Sequence, residues 1–153
     1  MTTGEMTKLP LFLVVAAALV DRGGKVFVQQ RPIAKQHGGL WEFPGGKVEP
    51  GEAPEAALAR ELHEELGIAV STSALQPLSF ATVSSDDRNL VLLLYCVHEW
   101  TGTPCAIAAA SARWVAIEAL RELDMPPADL PLVDALAQGR AAGASQVVIR
   151  GGC

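Results

Sequence analysis

This chain of 153 residues is short of positive charge, of cysteine and of long apolar runs, and each shortage narrows what it can be. Its 12 Lys+Arg stand against 17 Asp+Glu, a formal net charge of −5. Proteins that coat nucleic acid usually need a basic surface, so no direct nucleic-acid partner is expected. On charge alone a phosphate-bearing ligand is disfavoured as well. The cysteines, Cys96, Cys105 and Cys153, are an odd number without a C-x-x-C pair. They suggest neither a disulfide framework nor a zinc site, and the cytoplasm is the expected location. The histidines, His37, His63 and His98, are equally scattered. The apolar run Leu11–Val20 (LFLVVAAALV) is too short to span a bilayer. A single Lys8 precedes it and Asp21-Arg22-Gly23-Gly24 follows at once, so it reads as a buried strand leading into a turn rather than as the apolar segment of a signal peptide. No membrane partner is expected.

What is present is a globular composition. Hydrophobic residues make up 50% and charged residues 19%, with a mean hydropathy of +0.26, which excludes a disordered chain. The length suits one domain, residues 1–153, with a core over about 11–138. The tail 139–153 is left unassigned, its last eight residues reading equally as a frayed end or an extra strand. Strands are expected at 11–20, 25–30, 75–84, 89–98 and 113–116, with a short extended piece at 41–43. Helices are expected at 54–66, 118–123 and 128–138, and Ala106–Ala112 reads as a loop. Strands alternating with helices in one domain point to an α/β sandwich.

The informative stretch is Gly46–Ile68, GKVEPGEAPEAALARELHEELGI. Pro54 suits a first helical turn and Gly67 a helix stop. Leu58, Leu62 and Leu66 give that helix a buried stripe. Beside the stripe Glu61, Glu64 and Glu65, at i, i+3 and i+4, share an arc of about 100°. Three carboxylates so close repel one another, and near the C-terminus the helix dipole disfavours them further. A solvated acidic face is one reading. A hard divalent cation held by oxygen ligands is the other, with Arg60 pairing a carboxylate or reaching a phosphate.

The stretch resembles the Nudix box, G-x5-E-x7-R-E-U-x-E-E-x-G-U, in which U is a bulky aliphatic residue. Gly46, Glu52, Arg60, Glu61, Leu62, Glu64, Glu65, Gly67 and Ile68 match every specified position. Chance would supply such a match on the order of once in a billion starting positions. Leu40–Lys47 (LWEFPGGK) is similar to the lead-in of MutT-like nucleoside triphosphate pyrophosphohydrolases. Gln30-Arg31-Pro32 and Met125–Pro131 (MPPADLP) resemble their early arginine site and late base-holding segment.

The resemblance implies a Nudix fold: an α/β/α sandwich with a mixed β-sheet and a loop–helix–loop box. It implies Mg²⁺, or Mn²⁺ in its place, held by Glu61, Glu64, Glu65 and the carbonyl of Gly45. Glu52 and Arg60 would tie loop to helix, and Arg31 and Lys47 would neutralise phosphate. Glu61 or Glu64 would deprotonate the attacking water. Phe43, Arg88 and Asp129 are the candidates for holding the base; a core role for Phe43, an exposed turn for Arg88 and a helix-start role for Asp129 are the structural alternatives.

The implied reaction is cleavage of a nucleoside triphosphate, the one small-molecule partner expected, to monophosphate and pyrophosphate by a monomer or homodimer. Removal of 8-oxo-dGTP from the nucleotide pool, a DNA-repair function, comes first, and CTP, dCTP or a modified cytidine triphosphate second. A wider alternative is a substrate such as ADP-ribose, and a non-catalytic nucleotide-binding regulatory module is the alternative of another class. One departure bears on the metal count: relatives often place a glutamate where spacing puts Ala108.

The charge is unevenly spread. Within Gly46–Ile68 six glutamates face Lys47 and Arg60, a local −4 that leaves −1 for the rest. Once cations are bound, that acidity becomes the means of accepting a triphosphate.

Overall fold

The computed structural model describes residues 8–143, so the reading of the last eight residues falls outside the described residues. Strand β1 (Leu11–Leu19) is followed by β2 (Lys25–Gln30), β3 (Trp41–Glu42) and β4 (Gly45–Lys47). Helix α1 (Pro54–Leu66), β5 (Gln76–Ser84), β6 (Asn89–Val97), β7 (Ser111–Ala116) and α2 (Leu130–Gly143) complete the order. Two sheets form: a mixed one in the order β4-β1-β6-β5, with β1 and β6 parallel, and an antiparallel one in the order β3-β2-β7. The architecture is α/β, as expected, although its strands divide between two sheets rather than one.

The apolar run is β1, buried on both faces as central strands are. Val15, Ala17 and Leu19 face one core with Leu58, Leu62 and Leu66 of α1. Ala16, Ala18 and Val20 face the other, with Leu132, Val133 and Leu136 of α2. Truncating any of the three buried α1 leucines to alanine should cost about 2–5 kcal/mol, because the sheet cannot close on the gap. The Tyr95 hydroxyl donates to Glu55 Oε1 at 3.1 Å and fastens the first turn of α1 to β6. Gly67 ends the helix at φ 71°, where a side chain would be strained, and its N–H donates to the His63 carbonyl.

Several local expectations shift. Asp21 closes the turn by accepting the Lys25 N–H on Oδ1 at 2.8 Å, but beyond the bridge Val20↔Val26 the two strands part into different sheets. Pro44-Gly45-Gly46 is more than a turn, because Gly45–Lys47 pairs antiparallel with Ala16–Val14 of β1. A Cβ on Gly45 would fall 2.0 Å from the Val15 carbonyl oxygen, so only glycine allows this approach. The expected helix at 118–123 is a 3₁₀ stretch, Ile117–Glu122. Another 3₁₀ turn, Pro127–Asp129, precedes α2, which runs to Gly143 instead of 138. Cys105 is exposed and free, and Cys96 is buried on β6. Among the described residues no helix is long and apolar enough to cross a membrane.

Candidate functional site

The box folds around Arg60. Its Nε and Nη2 donate to Glu52 Oε2 and Oε1, both at 2.9 Å, a bidentate pair joining the loop to α1. Nη1 donates to Glu61 Oε1 at 2.9 Å and to Glu64 Oε2 at 3.3 Å, and Nη2 reaches the Lys47 carbonyl at 3.3 Å. One guanidinium thus faces three carboxylates. The two hydrogen bonds from Arg60, and then one from the Glu49 N–H, hold the Glu52 carboxyl at about 2, well below its usual range, and the pairing with Glu52 and Glu61 raises the pKa of Arg60.

Glu65 has turned away from Arg60 into the interior. Its Oε2 accepts from the Gly45 N–H and from Gln29 Nε2, each at 3.2 Å. Burial pushes this carboxyl up to about 7, against the two hydrogen bonds, with repulsion from Glu61 adding to the rise. Glu61 is packed on Gly46: a Cβ there would lie 2.4 Å from Glu61 Cδ. Glu64 is the outermost, its side chain 56% exposed. The loop after β6 secures the end of the helix. The Cys105 and Ile107 N–H groups donate to the carbonyls of Leu66 and Glu65, and the Ala110 N–H to that of Gln30. Ala108 and Ala109 therefore border a recess of about 150 Å³ shared with Gln29, Arg31, Glu42 and Glu65. Ala108, where spacing placed an expected glutamate, thus borders this recess together with Glu42 and Glu65, and it offers only a methyl group.

A cleft of about 600 Å³ opens from the box. Gly45, Gly46 and Glu65 lie at one side of it, and Arg31, Phe43, Arg88 and Asp129 also line it. Residues chosen for metal, phosphate and base from five separate stretches of chain thus share one cavity. Glu61, Glu64, Arg60, Glu52 and Lys47 are outside the lining, on the neighbouring helix face, loop and strand end. Phe43 is both core and wall, 5% exposed within the α2-side core and facing the cleft. Asp129 is 6% exposed, and burial, then the charge of Glu42, pushes its carboxyl up to about 7.

Three participants are additional to the sequence reading. Glu42 receives Arg31 Nη1 at 3.1 Å on Oε2, and burial still raises its pKa over the opposing pull of Arg31. Gln29 orients Glu65 from a strand otherwise buried by apolar residues. Phe12 lines the cleft beneath Arg88 and Lys47. The first two carried a sequence signal: a polar side chain in a buried strand, or an acid between Trp41 and Phe43, requires a partner.

A divalent cation fits the donor chemistry of this face. Glu61, Glu64 and Glu65 offer only carboxylate oxygen, suited to a hard ion, and Gly46 leaves beside Glu61 a space that a Cβ would fill. Among the described residues no three acidic, histidine or cysteine side chains converge on one point, because Arg60 holds two of these glutamates while Gly45 and Gln29 hold the third.

Comparison with known proteins gives the family and the fold. The NUDIX domain family matches residues 10–136. The CTP pyrophosphohydrolase of Escherichia coli (strain K12) is 38% identical over 133 residues, covering 84% of this chain and 93% of that protein. The 8-oxo-dGTP diphosphatase of the same strain is 32% identical over 123 residues, covering 79% and 93%. The solution structure of the E. coli ORF135 protein superposes with a TM-score of 0.78 at 36% identity, over 88% of this chain and 94% of that one.

Proposed function

Because the chain belongs to the NUDIX domain family of hydrolases, we propose that it cleaves a nucleoside triphosphate to the monophosphate and pyrophosphate. The observation that carries this reading is the single cleft joining Gly45, Gly46 and Glu65 to Arg31, Phe43 and Asp129. Such a cavity takes an aromatic base at one part and a charged phosphate chain at another.

Glu61, Glu64, Glu65 and the Gly45 carbonyl are the proposed ligands of Mg²⁺, or of Mn²⁺ in its place. When bound, the cation neutralises phosphate charge and makes a bound water acidic enough to attack near neutral pH. The protein supplies alignment and proton transfer. Glu52 and Arg60 hold the loop against α1 so that Glu61 and Glu64 present their carboxylates at one place. As the water oxygen bonds to an internal phosphorus and the bridging P–O bond opposite it breaks, leaving monophosphate and pyrophosphate, a carboxylate oxygen of Glu61 or Glu64 takes the water's proton. Arg31, kept in place by Glu42, and Lys47 offset the charge of the phosphate chain.

Phe43 packs against the base and Asp129 reads its edge. A protonated Asp129 donates and accepts, as asparagine does, and suits 8-oxoguanine. The ionised form only accepts, and suits the amino group of cytosine. With its pKa raised to about 7, Asp129 has both forms within reach near neutral pH. We propose 8-oxo-dGTP as the first substrate; Asp129 and the similarity to a CTP pyrophosphohydrolase favour CTP or dCTP as the second. The test is a panel of 8-oxo-dGTP, dGTP, CTP, dCTP and ATP with Mg²⁺, assayed for both products. Highest kcat/KM on 8-oxo-dGTP supports the first choice, highest on a cytidine nucleotide supports the second, and binding without turnover refutes hydrolysis.

A further inference from the structure

Phe12 stands half-buried on β1 in the wall of the cleft, with two cations against its ring. Lys47 Nζ lies 4.5 Å from the ring centroid and Arg88 Cζ 4.7 Å. Lys47 belongs to β4, and Arg88 to the turn entering β6. Those are the two neighbours of β1, so the cations reach the ring from opposite flanks of the strand. Neither forms a salt bridge among the described residues. Asp87, next to Arg88, accepts the Ser85 hydroxyl at 2.6 Å. Two like charges drawn to one ring repel each other; the electron-rich ring offsets part of that cost, and an anion between them would offset more. Lys47 also follows Gly46, which packs on Glu61, so this pair of cations borders the carboxylate cluster.

We propose that Phe12 is a positioning residue that holds Lys47 and Arg88 as a cation pair for the phosphate chain of the substrate. Arg88 then serves the phosphates rather than the base. An aromatic ring in such a cleft would otherwise be available to stack on the base, but here its contacts are taken by cations. The assignment rests on the triphosphate reading above, and it makes a claim that can be tested apart from catalysis.

The experiment is calorimetric titration, with Mg²⁺ present, of wild type, Phe12→Leu and Phe12→Trp with inorganic tripolyphosphate, a CTP analogue whose bridging oxygens are replaced by methylene groups so that it is not hydrolysed, and cytidine. Leucine keeps an apolar side chain without the ring, and tryptophan keeps a ring. Phe12→Leu should weaken tripolyphosphate and the CTP analogue about three- to ten-fold and leave cytidine within about two-fold, while Phe12→Trp restores the phosphate ligands. In kinetics KM should rise with kcat nearly unchanged. The proposal is overturned if wild type binds no tripolyphosphate, if Phe12→Leu binds it as wild type does, or if cytidine weakens as much as the CTP analogue. If tripolyphosphate responds as expected while no nucleoside triphosphate is hydrolysed, the cation pair stands and the hydrolase reading falls.

Discussion

Asp129→Asn tests the electrostatics of the cleft without touching the glutamates of the box. Asp129 lies in the 3₁₀ turn Pro127–Asp129, 6% exposed, with Glu42 adding negative charge to the same cavity. Its carboxyl is pushed from an ordinary value of 3.8 to about 7, first by burial and then by Glu42. A raised carboxyl pKa means that the fold prefers the neutral form. The associated stability is complete below the ordinary value, falls as pH rises, and is lost once pH passes the folded value. Between these limits the slope is about 1.4 kcal/mol per pH unit, and a shift of roughly three units sets a ceiling of about 4 kcal/mol. Water entering the cleft lowers this to about 2–4 kcal/mol, because an open cavity solvates the ion better than a sealed core does. Asparagine has nearly the same shape and does not titrate. The variant should match wild type near pH 4 and exceed it by about 2–4 kcal/mol near pH 8, or by about 5–12 °C in Tm. Urea unfolding of both proteins, followed by circular dichroism in metal-free buffer across this range, reads the difference directly. A difference that stays constant with pH, or a wild type that is the more stable at alkaline pH, would refute the reasoning.

Other substitutions address the box and the base. Glu64→Gln should lower kcat by at least about 100-fold, the scale of a lost general base or metal ligand, while Tm stays near wild type because the exposed Glu64 makes only a 3.3 Å contact with Arg60. Gly46→Ala would drive a methyl group into the Glu61 carboxylate and should raise the Mg²⁺ concentration needed for half-maximal activity about 10- to 100-fold, measured by metal titration of turnover. The Glu52 carboxylate should remain ionised until pH falls to about 2, as followed by carbonyl NMR; in Arg60→Gln its titration should return toward the ordinary 4.5. The kcat/KM ratio of 8-oxo-dGTP to CTP should fall as pH rises through about 7 in wild type, and Asp129→Asn should flatten that profile.

Contiguous features were readable in the sequence because their geometry is local. Glu61, Glu64 and Glu65 share a face by helical spacing alone, and Gly67 ends the helix by its own backbone freedom. Arg60 and Glu52 needed only one loop closure, which the box spacing implied. The unread features depend on strands that meet after long separations. Gln29 reaches Glu65 because β2 and α1 share one core, through Phe27 and the α1 leucines, and Phe12 meets Arg88 because β1 pairs in parallel with β6. Periodicity also could not separate an α-helix from a 3₁₀ stretch at Ile117–Glu122, nor show that Gly45–Lys47 would lie flat against β1. The expected loop at Ala106–Ala112 ends where β7 begins at Ser111, and its first part has little pattern because it is held by N–H groups of Ile107 and Ala110 donated to α1 and β2, which any residue but proline supplies.

The most direct test of the account is the product balance of wild type on a nucleoside triphosphate from the panel, with Mg²⁺ and with chelator. One monophosphate and one pyrophosphate per triphosphate consumed, with no turnover in chelator, is the predicted result. Orthophosphate with a nucleoside diphosphate, equal rates in the presence of chelator, or tight binding without products would contradict it.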